Sequence, residues 1–156
     1  MSSDVVESTV QEVLEEVVTA LGLKGDVEVD RDGDVVTGTV HGHDLGLFIG
    51  RHGQTIDAVQ HLVFRIVLTR GGGAPAGDLR VVIDAEGYRA RREEALHRQA
   101  DQAADDAIRY KRPVALDAMT ASERKLVHEY LRDRGDVETY SEGEEPDRHL
   151  MVAPLR

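Results

Sequence analysis

Val6, Val10, Val13, Leu14, Val17 and Leu21 recur at three- and four-residue steps, so the start of the chain reads as an amphipathic helix. Ser3 or Asp4 is placed to cap it, and Gly22 to end it. Val27 and Val29, an Asp32-Gly33 turn signal, and then Val35, Val36, Thr37, Thr39 and Val40 alternate as a β-hairpin should. A short apolar piece over 45–49 follows. Beyond the glycines at 50 and 53, Ile56, Val59, Val63, Ile66 and Val67 mark a second helix, broken by Gly71-Gly72-Gly73-Ala74-Pro75. Residues 79–83 predict a short strand. A long helix is predicted over 88–112, with Leu96, Ala100, Ala103, Ala107 and Tyr110 on one seam and Pro113 stopping it. Val114 and Leu116 suggest a brief strand. Thr120-Ala121-Ser122-Glu123 fits a capping box, and Leu126, Val127, Tyr130 and Leu131 form the apolar stripe of the helix it opens. Gly135 closes that helix. Strands at 137–140 and 149–153, separated by an acidic turn, finish the chain. The predicted class is α+β, with two small units, 1–84 and 87–156, joined through the long helix.

Composition narrows the class of protein. With 40% apolar residues among 156, there is enough for a packed core, and wholesale disorder is excluded. There is no cysteine, hence no disulfide, thiolate metal site or cysteine nucleophile. No basic segment followed by an apolar run opens the chain, and no uncharged stretch approaches the roughly 20 residues of a spanning helix. A soluble, cytoplasmic protein is expected. Thirty acidic against 19 basic side chains leave a net charge of −11, which at first sight argues against a nucleic-acid partner. Distribution changes that picture. Residues 1–44 hold 11 acidic and 2 basic side chains, a net of −9, and the remainder is near neutral at −2. All the basic residues except Lys24, Lys111 and Lys125 are arginine, which suits bidentate phosphate contacts and stacking on bases.

The candidate chemistry begins at Gly50-Arg51-His52-Gly53, which sits between the short apolar piece and a helix. Glycines three apart let backbone pass close to a ligand, and the helix that starts here directs its free N–H groups and dipole at the loop. Arg51 adds charge and His52 a donor. Such a loop favours a phosphodiester backbone. Downstream, Arg124 and His128 are four apart and share a helix face. At about 100° per residue, that face lies roughly 110° from the centre of the apolar stripe, so both side chains are expected to flank the core. Arg89, Arg91 and Arg92 cluster at the start of the long helix and are placed to extend a positive track.

The order helix–strand–strand–helix–[Gly50-Arg51-His52-Gly53]–helix–strand resembles the KH domain in its type II arrangement. An Arg-x-x-x-His pair after a capped helix start, followed by Ser141-Glu142-Gly143-Glu144-Glu145-Pro146 and Arg148, resembles the R-three-H domain. In that order, with Gln54-Thr55, Tyr88-Arg89 and Arg91-Arg92-Glu93, nearly the whole chain resembles the bacterial Jag/KhpB family. The resemblance implies a type II-like KH domain (α-β-β-α-α-β), then an R-three-H domain (α-β-α-β-β). It also implies single-stranded RNA, with single-stranded DNA as an alternative ligand, gripped by Gly50, Arg51, His52, Gly53 and Gln54, and a groove lined by Ile49 and Ile56. A small KH-domain protein as hetero-oligomer partner, and a role in cell envelope growth or division, are further implications. Many family members carry an N-terminal domain and charged linker, and a short form without them is expected here. Ala118 stands where the family usually shows proline.

Two competing readings are weaker. A protein-interaction adaptor would use the KH unit to pair with another KH protein, with RNA binding secondary. A hydrolase would need a site such as His41, His43 and Asp44, but a third defined metal ligand is missing. The pairs Glu93-Glu94 and Asp105-Asp106 diverge on their helix, and no nucleophile elbow, zinc-protease or P-loop pattern occurs. No enzyme activity and no cofactor are expected. A histidine at 128 in contact with phosphate would strengthen binding below neutral pH.

Overall fold

The computed structural model describes residues 2–73 and 77–156; Ala74 and Pro75 of the expected glycine-rich loop lie outside them. Two compact units emerge, one ending at Arg89 and one running Ala90–Arg156. The elements are α1 (Ser3–Ala20), β1 (Gly25–Asp32), β2 (Val35–Gly42), α2 (Gly46–Ile49), α3 (Gln54–Arg70) and β3 (Arg80–Ala85). They continue with α4 (Tyr88–Tyr110), β4 (Val114–Ala115), α5 (Ala121–Arg132), β5 (Val137–Glu142) and β6 (His149–Pro154). The fold is α+β throughout.

In the first unit β1 pairs antiparallel with β2, and β3 lies parallel on the other side of β2. Asp32 pairs with Val35, so the hairpin loop is Gly33-Asp34, one residue later than the turn signal implied. Alternation along β2 turns Val36 and Val40 inward, where α1 and α3 cover them. The apolar steps of α1 supply Val6, Val10, Val13, Leu14 and Val18, and those of α3 supply Ile56, Val59, Val63 and Val67. Ser2, not Ser3 or Asp4, occupies the first cap position, and it makes no side-chain cap bond. At the other end Leu23 N–H donates to Val18 O and Gly22 N–H to Thr19 O, the paired bonds of a Schellman motif. Phe48 of α2 is fully buried and plugs this short helix into the core. Truncation of such a side chain costs about 3–5 kcal/mol, which is what keeps α2 from fraying.

The second unit orders its sheet β4-β6-β5, all antiparallel. Its core takes Leu96, Ala100, Ala103, Ala104 and Ala107 from α4, Val127 and Leu131 from α5, and Met119, Val137, Leu150 and Val152. The alanine seam lets neighbouring elements approach α4 closely. Tyr110, expected on that seam, is 54% exposed, and Ala104 takes a place on it instead. A bulky ring does not fit a contact face built of alanines.

The capping box forms as expected. Thr120 Oγ1 accepts from Glu123 N–H at 3.3 Å, and Glu123 Oε2 accepts from Thr120 N–H at 3.2 Å. The buried face of α5, however, is Arg124, Val127 and Leu131. It is rotated toward Arg124 relative to the stripe read from hydropathy. Tyr130 lies outside it, stacking on His97 with centroids 4.0 Å apart and donating to Asp101 Oδ2 at 2.8 Å. That bond to a carboxylate is the main reason the Tyr130 pKa is raised. Among the described residues no helix is long and apolar enough to cross a membrane.

Candidate nucleic-acid interfaces

The first site is the turn between α2 and α3. Gly50 adopts φ 74° and ψ −179°, a region essentially reserved for glycine. A Cβ there would overlap the Thr55 hydroxyl and lie 2.8 Å from Thr55 N, so the backbone itself would have to move. Gly53, at φ 79°, is the N-cap of α3, and the Tyr88 ring lies against its Cα. Between the two glycines a single 3₁₀ turn carries Arg51 and His52, the latter also at positive φ (54°). No side chain caps α3; Gly53 N–H donates to Gly50 O at 3.4 Å and Gln54 N–H to Arg51 O, so the turn closes on its own backbone and the positive end of a 17-residue helix dipole lies at it. Arg51 and Gln54 are exposed, and among the described residues Arg51 makes no ion pair. The structure therefore places one exposed cation on a tight glycine turn at the positive end of a helix. That is a phosphate-binding arrangement.

The flanking residues divide. Ile49 is half-buried beside the loop, but Ile56 is fully buried in the core and lines no groove. Its α3 position is inward because Ile56, Val59, Val63 and Val67 share the face packed on the sheet. Leu47, 66% exposed on α2, is the apolar side chain that sequence reasoning overlooked. Nothing in the local pattern separates it from Leu45, which is buried.

Arg89, Arg91 and Arg92 do not form one open track. Arg89 donates through Nε to Ile83 O at 2.7 Å, through NH1 to Asp57 Oδ1 at 2.9 Å and through NH2 to Gln60 Oε1 at 3.0 Å. It thereby ties the start of α4 to α3 and β3. Arg92 donates through Nε to Glu123 Oε1 at 2.8 Å, steadying the carboxylate of the capping box. Arg91 is exposed. A cluster in sequence is thus split by helical geometry into separate duties.

The second site is a cleft of about 450 Å³ along the first half of α5, whose lining includes Arg124, Lys125, His128, Thr139, Ser141 and Arg148. His128 is exposed and its Nδ1 is hydrogen-bonded to the Thr139 hydroxyl, which orients the ring toward β5. Arg124 does not flank the core as expected. Its side chain is 10% exposed, with NH1 donating to Met119 O at 2.7 Å and NH2 to Glu145 Oε1 at 2.8 Å. Arg124 thus pins the β5–β6 loop over the helix start. Arg148 donates to Gly143 O at 2.6 Å across the same loop, and Met119 N–H to Arg148 O at 3.2 Å. Lys125 and Arg148 were not among the sequence candidates. The Arg148 signal was present in the tail motif, but its place beside α5 depends on β-sheet register.

Comparison with known proteins follows this division. The KH domain of KhpA/KhpB matches residues 7–73, and the R-three-H domain matches residues 94–154. The chain is 36% identical over 147 residues to an RNA-binding protein KhpB of Clostridium symbiosum, covering 93% of this chain and 64% of that protein. It is 34% identical over 145 residues to the Bacillus subtilis protein of the same name, covering 92% and 68% respectively. The chain belongs to the KhpB family. A third relative, from Lactiplantibacillus plantarum, is 38% identical over 137 residues, and the chain spans only 41% of its length. These KhpB relatives are named for RNA binding and not for a reaction. His41 is held by Glu28 at 2.9 Å and Glu86 at 3.6 Å, and among the described residues no three potential ligands gather to hold a metal.

Proposed function

We infer that this chain binds single-stranded RNA, at the Gly50–Gly53 turn and at the α5 cleft, acting as two modules that correspond to residues 1–84 and 87–156. The observation that carries this reading is the turn itself: two glycines at positive φ hold Arg51 and His52 at the start of α3, which no side chain caps. The relatives named as RNA-binding proteins support it. At the second site Lys125, His128 and Arg148 are the contacts, while Arg124 positions the loop that carries Arg148. Each module is small, so the tethering of two sites raises affinity beyond either alone. The total charge of −11 opposes indiscriminate coating of RNA and confines binding to these two places. Cytoplasmic location, pairing with a small KH-domain protein, and a post-transcriptional role in cell envelope growth or division rest on the family resemblance.

The test is a double Arg51→Asp, His52→Asp variant of the full chain, compared with its parent for binding to unstructured RNA over a range of salt. Loss of the Arg51 charge is expected to lower the slope of log affinity against log salt by about 0.7, the contribution of one cationic contact on a single strand. Both positions lie in the turn rather than in the core, so the fold persists. Equal affinity and equal slope would count against the loop.

A further inference from the structure

Two stretches of this chain place three basic residues within four positions, 89–92 and 109–112. In the first, Arg89 and Arg92 are drawn into internal ion pairs. In the second, Arg109, Lys111 and Arg112 make no ion pair among the described residues. They surround Tyr110, whose ring is 54% exposed, the most open aromatic among the described residues. The guanidinium carbons of Arg109 and Arg112 lie 5.5 and 5.6 Å from its centroid. Cations at the C-terminus of a helix also complement its dipole, which accounts for the charge. It does not account for a large exposed ring beside two arginines at the same point.

The backbone fixes this grouping. Lys111 adopts φ 53°, and Arg112 N–H donates to Ala107 O at 3.3 Å, so α4 ends in a tight reversal before Pro113. The three cations and the ring are thereby gathered at one helix end. Gln99, Gln102, Asp106 and Tyr110 succeed one another along α4 at three- and four-residue steps, so the same face leads away from the ring. Its Gln99, Gln102 and Asp106 line a groove of about 360 Å³ together with Val114, Leu116 and Asp117. Asp106 already accepts from Gln102 Nε2 at 3.0 Å. The groove thus offers amide groups suited to base edges above an apolar floor.

We propose that the C-terminal end of α4 is a third contact for single-stranded RNA, with Tyr110 stacking on an unpaired base and Arg109, Lys111 and Arg112 on the flanking phosphates. The combination of an exposed aromatic ring with cations beside it that make no ion pair is the chemistry of sequence-tolerant strand binding. The neighbouring nucleotide enters the groove beside Gln99 and Gln102. This site depends on the RNA-binding reading above, but uses none of the residues assigned to the other two sites.

The chain contains no tryptophan, so Tyr110→Trp in the full protein gives a single reporter at the proposed platform. Titration with a short unstructured oligouridine should quench its emission, with the same half-saturation that an end-labelled oligouridine reports. Tyr110→Ala should weaken binding by at least about fivefold, the lower end of what one stacked base contributes, whereas Tyr110→Phe keeps the ring and the affinity. RNA bound with no change in tryptophan emission overturns the proposal, as does equal affinity of the alanine and phenylalanine variants. If the parent binds and the alanine variant matches it, only this site fails, and the Arg51→Asp, His52→Asp comparison still judges the glycine turn. If the parent chain binds no oligouridine, the proposal falls together with the RNA reading.

Discussion

Arg124 is the residue for which sequence and structure assign opposite duties, and replacement by methionine separates them. Methionine retains most of the apolar stem, so packing against Val127 and Leu131 changes little. What is lost is the guanidinium. Its ion pair with Glu145 counts for at most about 1 kcal/mol, because Glu145 is 60% exposed. Its 2.7 Å bond to the carbonyl of Met119, a residue 5% exposed, counts for more. A hydrogen bond from a charged donor contributes about 1.5–3 kcal/mol. Arg124→Met should therefore destabilise the second unit by about 2–4 kcal/mol, and Glu145→Gln by less than about 1 kcal/mol. For a unit of this size each kcal/mol moves the melting temperature by about 4–8 °C. The two units can unfold separately, so the assay is hydrogen exchange at β5 and β6 amides such as Thr139 and Val152, with denaturant titration alongside. RNA affinity is then measured at a temperature where the variant is folded, and should fall far less than in a Lys125→Ala, Arg148→Ala variant. An Arg124→Met protein as stable as its parent that nonetheless loses RNA would refute the reasoning, and would make Arg124 a direct contact.

Gly50→Ala forces a side chain into a glycine-only region and against Thr55, and should cost about 3 kcal/mol or more together with the loss of RNA binding; a stable variant of unchanged affinity would contradict the turn geometry. The hydrogen bond that His41 donates to the Glu28 carboxylate is the main reason the His41 pKa is raised above its ordinary 6.5, with Glu86 adding to it and desolvation opposing. A raised folded pKa means this contribution is complete below the unfolded value and is lost as pH climbs through the folded one, so Glu28→Gln should move the His41 titration downward in an NMR pH series. Lys111→Gly relieves a left-handed residue and should stabilise the second unit by about 1 kcal/mol in denaturant melts, while lowering the RNA salt slope by about 0.7 if Lys111 meets a phosphate.

Much of the architecture was legible because short-range rules decide it. The valine steps of α1, the alternation of β2, Pro113 after α4 and the Thr120–Glu123 box each act within a few residues, and each produced its element where the pattern implied. The Gly50–Gly53 turn was legible for the same reason, since its backbone angles are a local requirement. Failures came where a charged or aromatic side chain met a partner far away in sequence. Hydropathy counts Arg124 as polar, so it could not anticipate a guanidinium buried by bonds to Met119 O and Glu145. Nor could it foresee that Tyr110 would leave an alanine seam, or that Arg89 would be tied down by Asp57 and Gln60.

The amino-acid sequence by itself determined the two α+β units, their element order, the family and the glycine turn, because periodicity, capping and backbone restriction are properties of neighbouring residues. Tertiary structure alone decided which cations, among the described residues, are left without an ion pair at the surface. Whether an arginine is paired or available depends on the carboxylates and carbonyls that folding brings within about 3 Å of it. By that measure Arg89, Arg92 and Arg124 are structural, and Arg51, Lys125 and the cations around Tyr110 face outward.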